Sequence, residues 1–156
     1  MKYIISLIVL LLVSSCSSLT NYKPTNVSST GEAKMLIEKL TFGQHAKWRP
    51  DYVDIKEQYM GWGFGHVSHT KAGVAFAGNS AIGNASTTTR TTQERLYYSD
   101  IKEVQVISWK RKLKQWYLAS VITTRGKRVH LLRTRYEEDA QKYADALNTL
   151  MIQHTH

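Results

Sequence analysis

One cysteine, Cys16, and two prolines occur in the 156 residues, and each scarcity closes off a class of protein. A single thiol makes no internal disulfide, and without a cluster of cysteines there is no framework for a structural zinc or an iron–sulfur centre. Two prolines exclude collagen-like and proline-rich chains. Acidic residues are also few: 12 Asp and Glu stand against 21 Lys and Arg, a formal net charge of +9. Apolar material is plentiful, with 42% hydrophobic residues, 4 Trp, 9 Tyr and 3 Phe. That supply is ample for a packed core, so wholesale disorder is excluded. At this length the expectation is one compact domain.

The N-terminus reads as an address. Met1-Lys2 supplies a positive charge, residues 3–13 are apolar except for Ser6, and Val13-Ser14-Ser15-Cys16 follows. A charged start, a greasy run and a small-residue cut site make an export signal. The run is too short for a membrane-spanning helix, which needs about 20 residues. With the sole cysteine directly after two small residues, the segment resembles the lipobox of bacterial lipoproteins. The resemblance implies removal of residues 1–15, a diacylglyceryl group on the Cys16 sulfur and acylation of the new amino terminus. Ser17, where inner-membrane retention would favour Asp, implies the outer membrane in a cell that has one. The plain alternative is an ordinary signal peptide with an incidental cysteine. Removing 1–15 takes away one base and no acid and leaves +8. Several acyl chains hold a protein on a bilayer almost irreversibly. The basic surplus is therefore left for orientation, partner choice or solubility.

Residues 16–30 are expected to form a lipidated flexible tether. The stretch is rich in Ser, Thr and Asn without hydrophobic period, and its span is roughly 20 Å. Ala33, Leu36, Ile37 and Leu40 then fall on one helical face, predicting a short helix over 32–41 with Thr30 as its cap and Gly43 at its end. Beyond Pro50 the alternation becomes strand-like, with Val53, Ile55 and Tyr59 on one parity and Tyr52, Met60, Trp62 and Phe64 on the other. Gly61-Trp62-Gly63-Phe64-Gly65 lacks the spacing of a nucleotide loop. Residues 72–92 are small and turn-prone, and read as a loop-like wide hairpin with a mobile tip; the other reading is a small-residue surface for a partner.

The second half is more regular. Strands are expected at 96–98, 101–109, 115–124 and 127–133, joined by breaks short enough for antiparallel hairpins. Ala140, Tyr143, Ala144, Leu147, Leu150 and Met151 trace the apolar stripe of a closing helix, with Lys142, Asp145 and Asn148 opposite. Thr134-Arg135-Tyr136-Glu137 has the spacing of a capping box. The plan is α+β: an antiparallel sheet or small barrel closed by a C-terminal amphipathic helix, after a short N-terminal helix. Leu96-Tyr97-Tyr98-Ser99-Asp100-Ile101-Lys102-Glu103-Val104, Trp116-Tyr117-Leu118 and the helix opening at Glu138-Asp139-Ala140 resemble the pleckstrin-homology-like family in its bacterial and GRAM-type forms. The match covers residues 95–152, and it implies one such domain over 31–156.

Charge is concentrated. Between Trp109 and Arg135 there are nine bases (Lys110, Arg111, Lys112, Lys114, Arg125, Lys127, Arg128, Arg133, Arg135) and no acid. The sharpest part, residues 110–114 between Trp109 and Trp116, is a cationic hairpin tip. Each base near an anionic bilayer gains about 1 kcal/mol, and tryptophans seat at the interface. The candidate binding residues for an anionic partner are therefore Lys110, Arg111, Lys112 and Lys114, with Arg125, Lys127 and Arg128 as support. The plain alternative is a solvated hairpin with its tryptophans in the core. Export argues against nucleic acid, the other usual partner of basic aromatic surfaces.

No cofactor or metal is expected. His66 and His69 have no neighbouring carboxylate, His154 and His156 lie at the terminus, and no Ser sits in a G-x-S-x-G elbow. The expected role is a non-catalytic, lipid-anchored envelope module that contacts anionic lipid or glycolipid headgroups. The alternative is a protein-interaction lipoprotein that uses 72–92 or a sheet edge.

Overall fold

In the computed structural model, residues 17–77, 80–111 and 113–153 are described, with side chains outside 65–93, and they form two antiparallel sheets and two α-helices. In chain order these are β1 (Ser17–Leu19), α1 (Thr30–Gly43), β2 (Tyr52–Ile55), β3 (Tyr59–Ala77), β4 (Ser80–Tyr97), a 3-10 turn (Tyr98–Asp100), β5 (Ile101–Arg111), β6 (Lys114–Thr123), β7 (Arg128–Thr134) and α2 (Glu137–Ile152). A four-stranded sheet runs β1-β5-β6-β7 and a three-stranded one β2-β3-β4. The α+β plan and the closing helix are as the sequence implies. The small barrel is not formed, because the strands fall in two separate open sheets.

Alternation along β5 and β6 sorts the four-stranded sheet into two faces. Val104 and Val106, opposite Val121 and Ala119, lie on an inner face that joins one buried cluster with Ala140, Tyr143, Ala144 and Leu147 of α2. Gln105, Ile107 and Trp109, opposite Ser120, Leu118 and Trp116, lie on the outer face. The same core takes in Ala33 and Ile37 of α1 and Met60 and Leu96 of the three-stranded sheet. Burial pushes the Tyr143 phenol up to about 12; its hydroxyl faces Thr41 Oγ1 at 3.4 Å and the Met60 sulfur at 3.7 Å.

Helix α1 is capped one residue earlier than expected. Ser29 Oγ accepts from the Glu32 amide at 3.1 Å, and Glu32 Oε2 accepts from the Ser28 amide at 3.1 Å, which brings the N-terminal donors to side-chain oxygens. The capping box expected at α2 does not form. Tyr136 is the N-cap and contributes no side-chain bond. Thr134 lies two residues too early; its hydroxyl donates to Asp139 Oδ2 at 3.2 Å and accepts from the Tyr136 amide at 3.2 Å.

Residues 17–30 are not a free tether. β1 pairs with β5, Ser17 opposite Trp109 and Leu19 opposite Ile107, and the Thr20 amide continues the pairing to the Val106 carbonyl at 3.0 Å. The chain then crosses the polar side of α2. Tyr22 donates to both Asp145 carboxylate oxygens at 2.9 and 2.8 Å, the Thr25 amide donates to Asp145 Oδ1 at 2.7 Å, and the Val27 amide donates to Thr149 Oγ1 at 2.9 Å. Asn148 donates to Asn26 Oδ1 at 2.8 Å. The hydroxyls and amides that read as loop chemistry satisfy the solvent side of α2, and the segment is a strap.

The stretch 72–92 forms the wide hairpin that the sequence allowed, with its arms extended as paired strands. Except at 78–79, which lie outside the described residues, it belongs to β3 and β4, whose pairing runs from Tyr59 opposite Tyr97 to Ala77 opposite Ser80, with an irregularity between Gly63 and His66. β2 pairs only as far as Gly63. Beyond that point β3 and β4 continue as a two-stranded ribbon.

A candidate anion-binding face

The outer face of the four-stranded sheet gathers cations and indoles. Trp109 and Trp116 are paired across β5 and β6. The loop after α1 brings in Trp48, whose ring meets Trp116 edge-on at 4.8 Å and His45 at 5.7 Å. Three arginines lie over three of these rings: Arg111 over Trp109 at 5.2 Å, Arg133 over Trp48 at 5.4 Å and Arg135 over Trp116 at 4.7 Å. Such contacts contribute about 0.5–1 kcal/mol each where exposed and more where desolvated. All three rings are half-buried. They are neither sealed in the core nor fully solvated.

A bulge puts the β7 cations on this face. Ser120 pairs with His130, but Ala119 pairs with Leu132 and Leu118 with Arg133, so β7 holds one extra residue at that step. One inserted residue reverses the parity of everything after it. His130, Arg133 and Arg135 therefore share the outer face although 130 and 133 differ in parity. Gln44, buried at the end of α1, holds this strand: its Oε1 accepts from the Arg133 amide at 3.1 Å, while its Nε2 has no acceptor among the described residues.

Two grooves cross the face. One of about 320 Å³ at the hairpin end is lined by His45, Lys47, Trp48, Arg111, Lys114 and Trp116. The other, of about 360 Å³, lies along the sheet between Ser17, Ile107, Trp109, Leu118, Arg128, His130 and Arg133. Neither lining includes a carboxylate. Among the described residues the ion pairs are Lys56–Asp54 and Lys142–Glu138, both elsewhere. The crowding of positive charge is felt locally. Burial, then Arg133 and Arg128, holds the His130 imidazole below its ordinary value, and burial with Arg111 lowers Arg133.

The candidate residues of the sequence separate accordingly. Arg111 and Lys114 are on the face. Lys110 takes the opposite parity, with Ser108 and Gln115, whose side chains bond at 2.7 Å on the α2 side. Arg125 and Lys127 do not support the hairpin tip: they sit at the far end of β6 beside Asp100 and Arg95, about 30 Å away for ten strand residues. Arg128 lines the longer groove and its Nη2 donates to Gln105 Oε1 at 3.4 Å. Cys16 and Lys112 lie outside the described residues, as do residues 1–15, His154 and His156 and the side chains of His66 and His69. Sequence reasoning missed Trp48, His45 and His130. It counted Arg133 and Arg135 as charge without seeing them as part of a site.

At the tip, β5 and β6 are joined by two residues. Leu113 there has φ +60° and is 94% exposed. Two-residue hairpins favour positive φ and are usually served by Gly or Asn. A leucine held in this region costs about 1–2 kcal/mol. Among the described residues no helix is long and apolar enough to cross a membrane, and no group of three His, Cys, Asp or Glu is placed to hold a metal ion.

Comparison with known proteins finds no family model, no curated protein and no solved structure that the chain matches.

Proposed function

We propose that this is a lipid-anchored cell-envelope protein, a non-catalytic module of pleckstrin-like type whose basic, tryptophan-bearing face meets the anionic surface of the membrane that holds it. The observation that carries this reading is the register of β1. Ser17, the residue after Cys16, lies opposite Trp109, and β1 runs away from the tip. A lipid on Cys16 therefore leaves the fold beside the cationic hairpin, with no 20 Å tether between them. Arg111 and Lys114 are then held within about one Debye length, 8–10 Å, of the headgroups, where each base gains about 1 kcal/mol. Leu113 supports the same orientation. A fully exposed apolar side chain on a strained turn is poorly used in water and well used at an acyl boundary.

The chain with Cys16→Ala, which carries no acyl group, tests the face by sedimentation with phosphatidylglycerol vesicles. Charge reversal at Arg111 and Lys114 should abolish binding at physiological salt, while reversal at Arg125 and Lys127 should leave most of it. Equal losses from both pairs would reduce the attraction to net charge and overturn the reading. The anchor itself is tested by mass spectrometry of the mature amino terminus, where a bare Cys16 thiol would remove the premise.

A second reading has one observation in its favour. The β3–β4 ribbon runs past β2 from His66 to Thr91, and an isolated two-stranded ribbon is marginal in water. A protein partner that adds a strand to it would give an interaction module instead. Replacing residues 66–91 with a tight turn should then abolish a defined crosslink in the native envelope and spare vesicle binding.

A further inference from the structure

Between β1 and β7, the longer groove on the outer face has two chemically distinct halves. Arg128, His130 and Arg133 form one wall, and Ile107, Leu118 and Trp109 form the floor. Arg133 makes no ion pair among the described residues, and its guanidinium is fixed from behind by the Trp48 ring. Buried or half-buried cations are ordinarily paired, so a half-buried arginine with an indole behind it and no carboxylate in front is short of an anion. His130 is oriented for the same purpose. Its Nδ1 is joined to the fully buried Ser120 hydroxyl at 2.7 Å, which leaves Nε2 as the nitrogen available to the groove.

We infer that this groove is a binding site for a phosphate monoester on a carrier the size of one sugar ring, with the phosphate between Arg128, His130 and Arg133 and the carrier over Trp109, Ile107 and Leu118. Guanidinium forks match the geometry of phosphate oxygens, and the charge-assisted bonds they make are among the strong ones. The volume, about 360 Å³, lies within the range of small-molecule sites. A bare inorganic ion would leave the half-exposed Trp109 ring beside the cations uncovered. The site deepens the membrane-facing reading by naming a ligand class, yet it stands on the groove alone and does not depend on the anchor.

The test uses the full chain purified in detergent, at constant ionic strength, titrated with glucose 1-phosphate, inorganic phosphate and glucose while the His130 ring nitrogens are followed by NMR. Glucose 1-phosphate should shift the His130 signals and raise the melting temperature, inorganic phosphate should do so more weakly, and glucose should do neither. Arg133→Gln and Arg128→Gln should each weaken binding at least roughly tenfold, the scale of one lost charge-assisted hydrogen bond. Arg133→Lys, which keeps the charge and loses the fork, should fall between. Lys127→Gln should change nothing. An unmoved His130 signal, or Arg133→Gln binding as tightly as the parent, overturns the site. If phosphatidic acid vesicles displace glucose 1-phosphate, the monoester is membrane-borne. If they do not, it is soluble, and either result supports the phosphate site. Loss of vesicle binding without loss of glucose 1-phosphate binding would sink the membrane reading and spare this one.

Discussion

The two faces of the four-stranded sheet are made from alternate residues of the same strands and solve burial in different ways. The inner face is closed by α2 over aliphatic and small side chains, with Lys110 kept to its exposed hairpin end. The outer face buries Ile107 and Leu118 beneath tryptophans and arginines that no helix covers. One face is sealed by the protein itself. The other is half-sealed by groups that also have spare charge, which is the condition for taking up something from outside.

The largest separation between the faces should come from Leu147→Ala. Leu147 is fully buried in α2, so removing its branched methyls should cost about 2–5 kcal/mol, read as a fall in the denaturation midpoint. Vesicle binding per folded molecule should not change; if it does, the faces are not independent. Leu113→Gly should act with the opposite sign on the two properties. Relieving φ +60° should raise stability by about 1 kcal/mol and weaken vesicle sedimentation. A stabilised variant that binds as well as the parent would show that the exposed leucine serves no membrane contact.

The smallest effect is a pH dependence. His130 is held below its ordinary 6.5 by burial and the two flanking arginines. The unfolded chain therefore takes up a proton at that position before the folded one does. Stability should fall as pH drops from 6.5 toward the folded value and then level off, and His130→Gln should flatten that part of the profile. A profile unchanged by the substitution would remove His130 from the charged wall.

Much of this architecture was legible in periodicity. The paired strands β5, β6 and β7 and the stripe Ala140, Tyr143, Ala144, Leu147 and Leu150 could be read directly, because residues facing one core repeat at 2.0 and 3.6. What escaped was set by other rules. Residues 17–30 have the composition of a linker, and their contacts use backbone amides and short polar side chains that look the same in a loop and in a strap. Trp48 lies far from Trp116 in sequence and reaches it only through the loop that Gln44 pins. The concentration of charge was visible in the run from Lys110 to Arg135, but its division between the two ends of β6 needed the strand direction.

The extra residue in β7 opposite the Ala119–Ser120 step carries a consequence for how this surface can vary. The bulge absorbs that residue: Leu132 and Arg133 stand opposite Ala119 and Leu118 as they would in a regular ladder, so deleting the one extra residue would straighten the strand and leave Arg133 and Arg135 on the outer face. The surface can therefore tolerate a change of length at this one place, whereas a residue gained or lost elsewhere in the strand, with no bulge to take it up, would exchange the two faces.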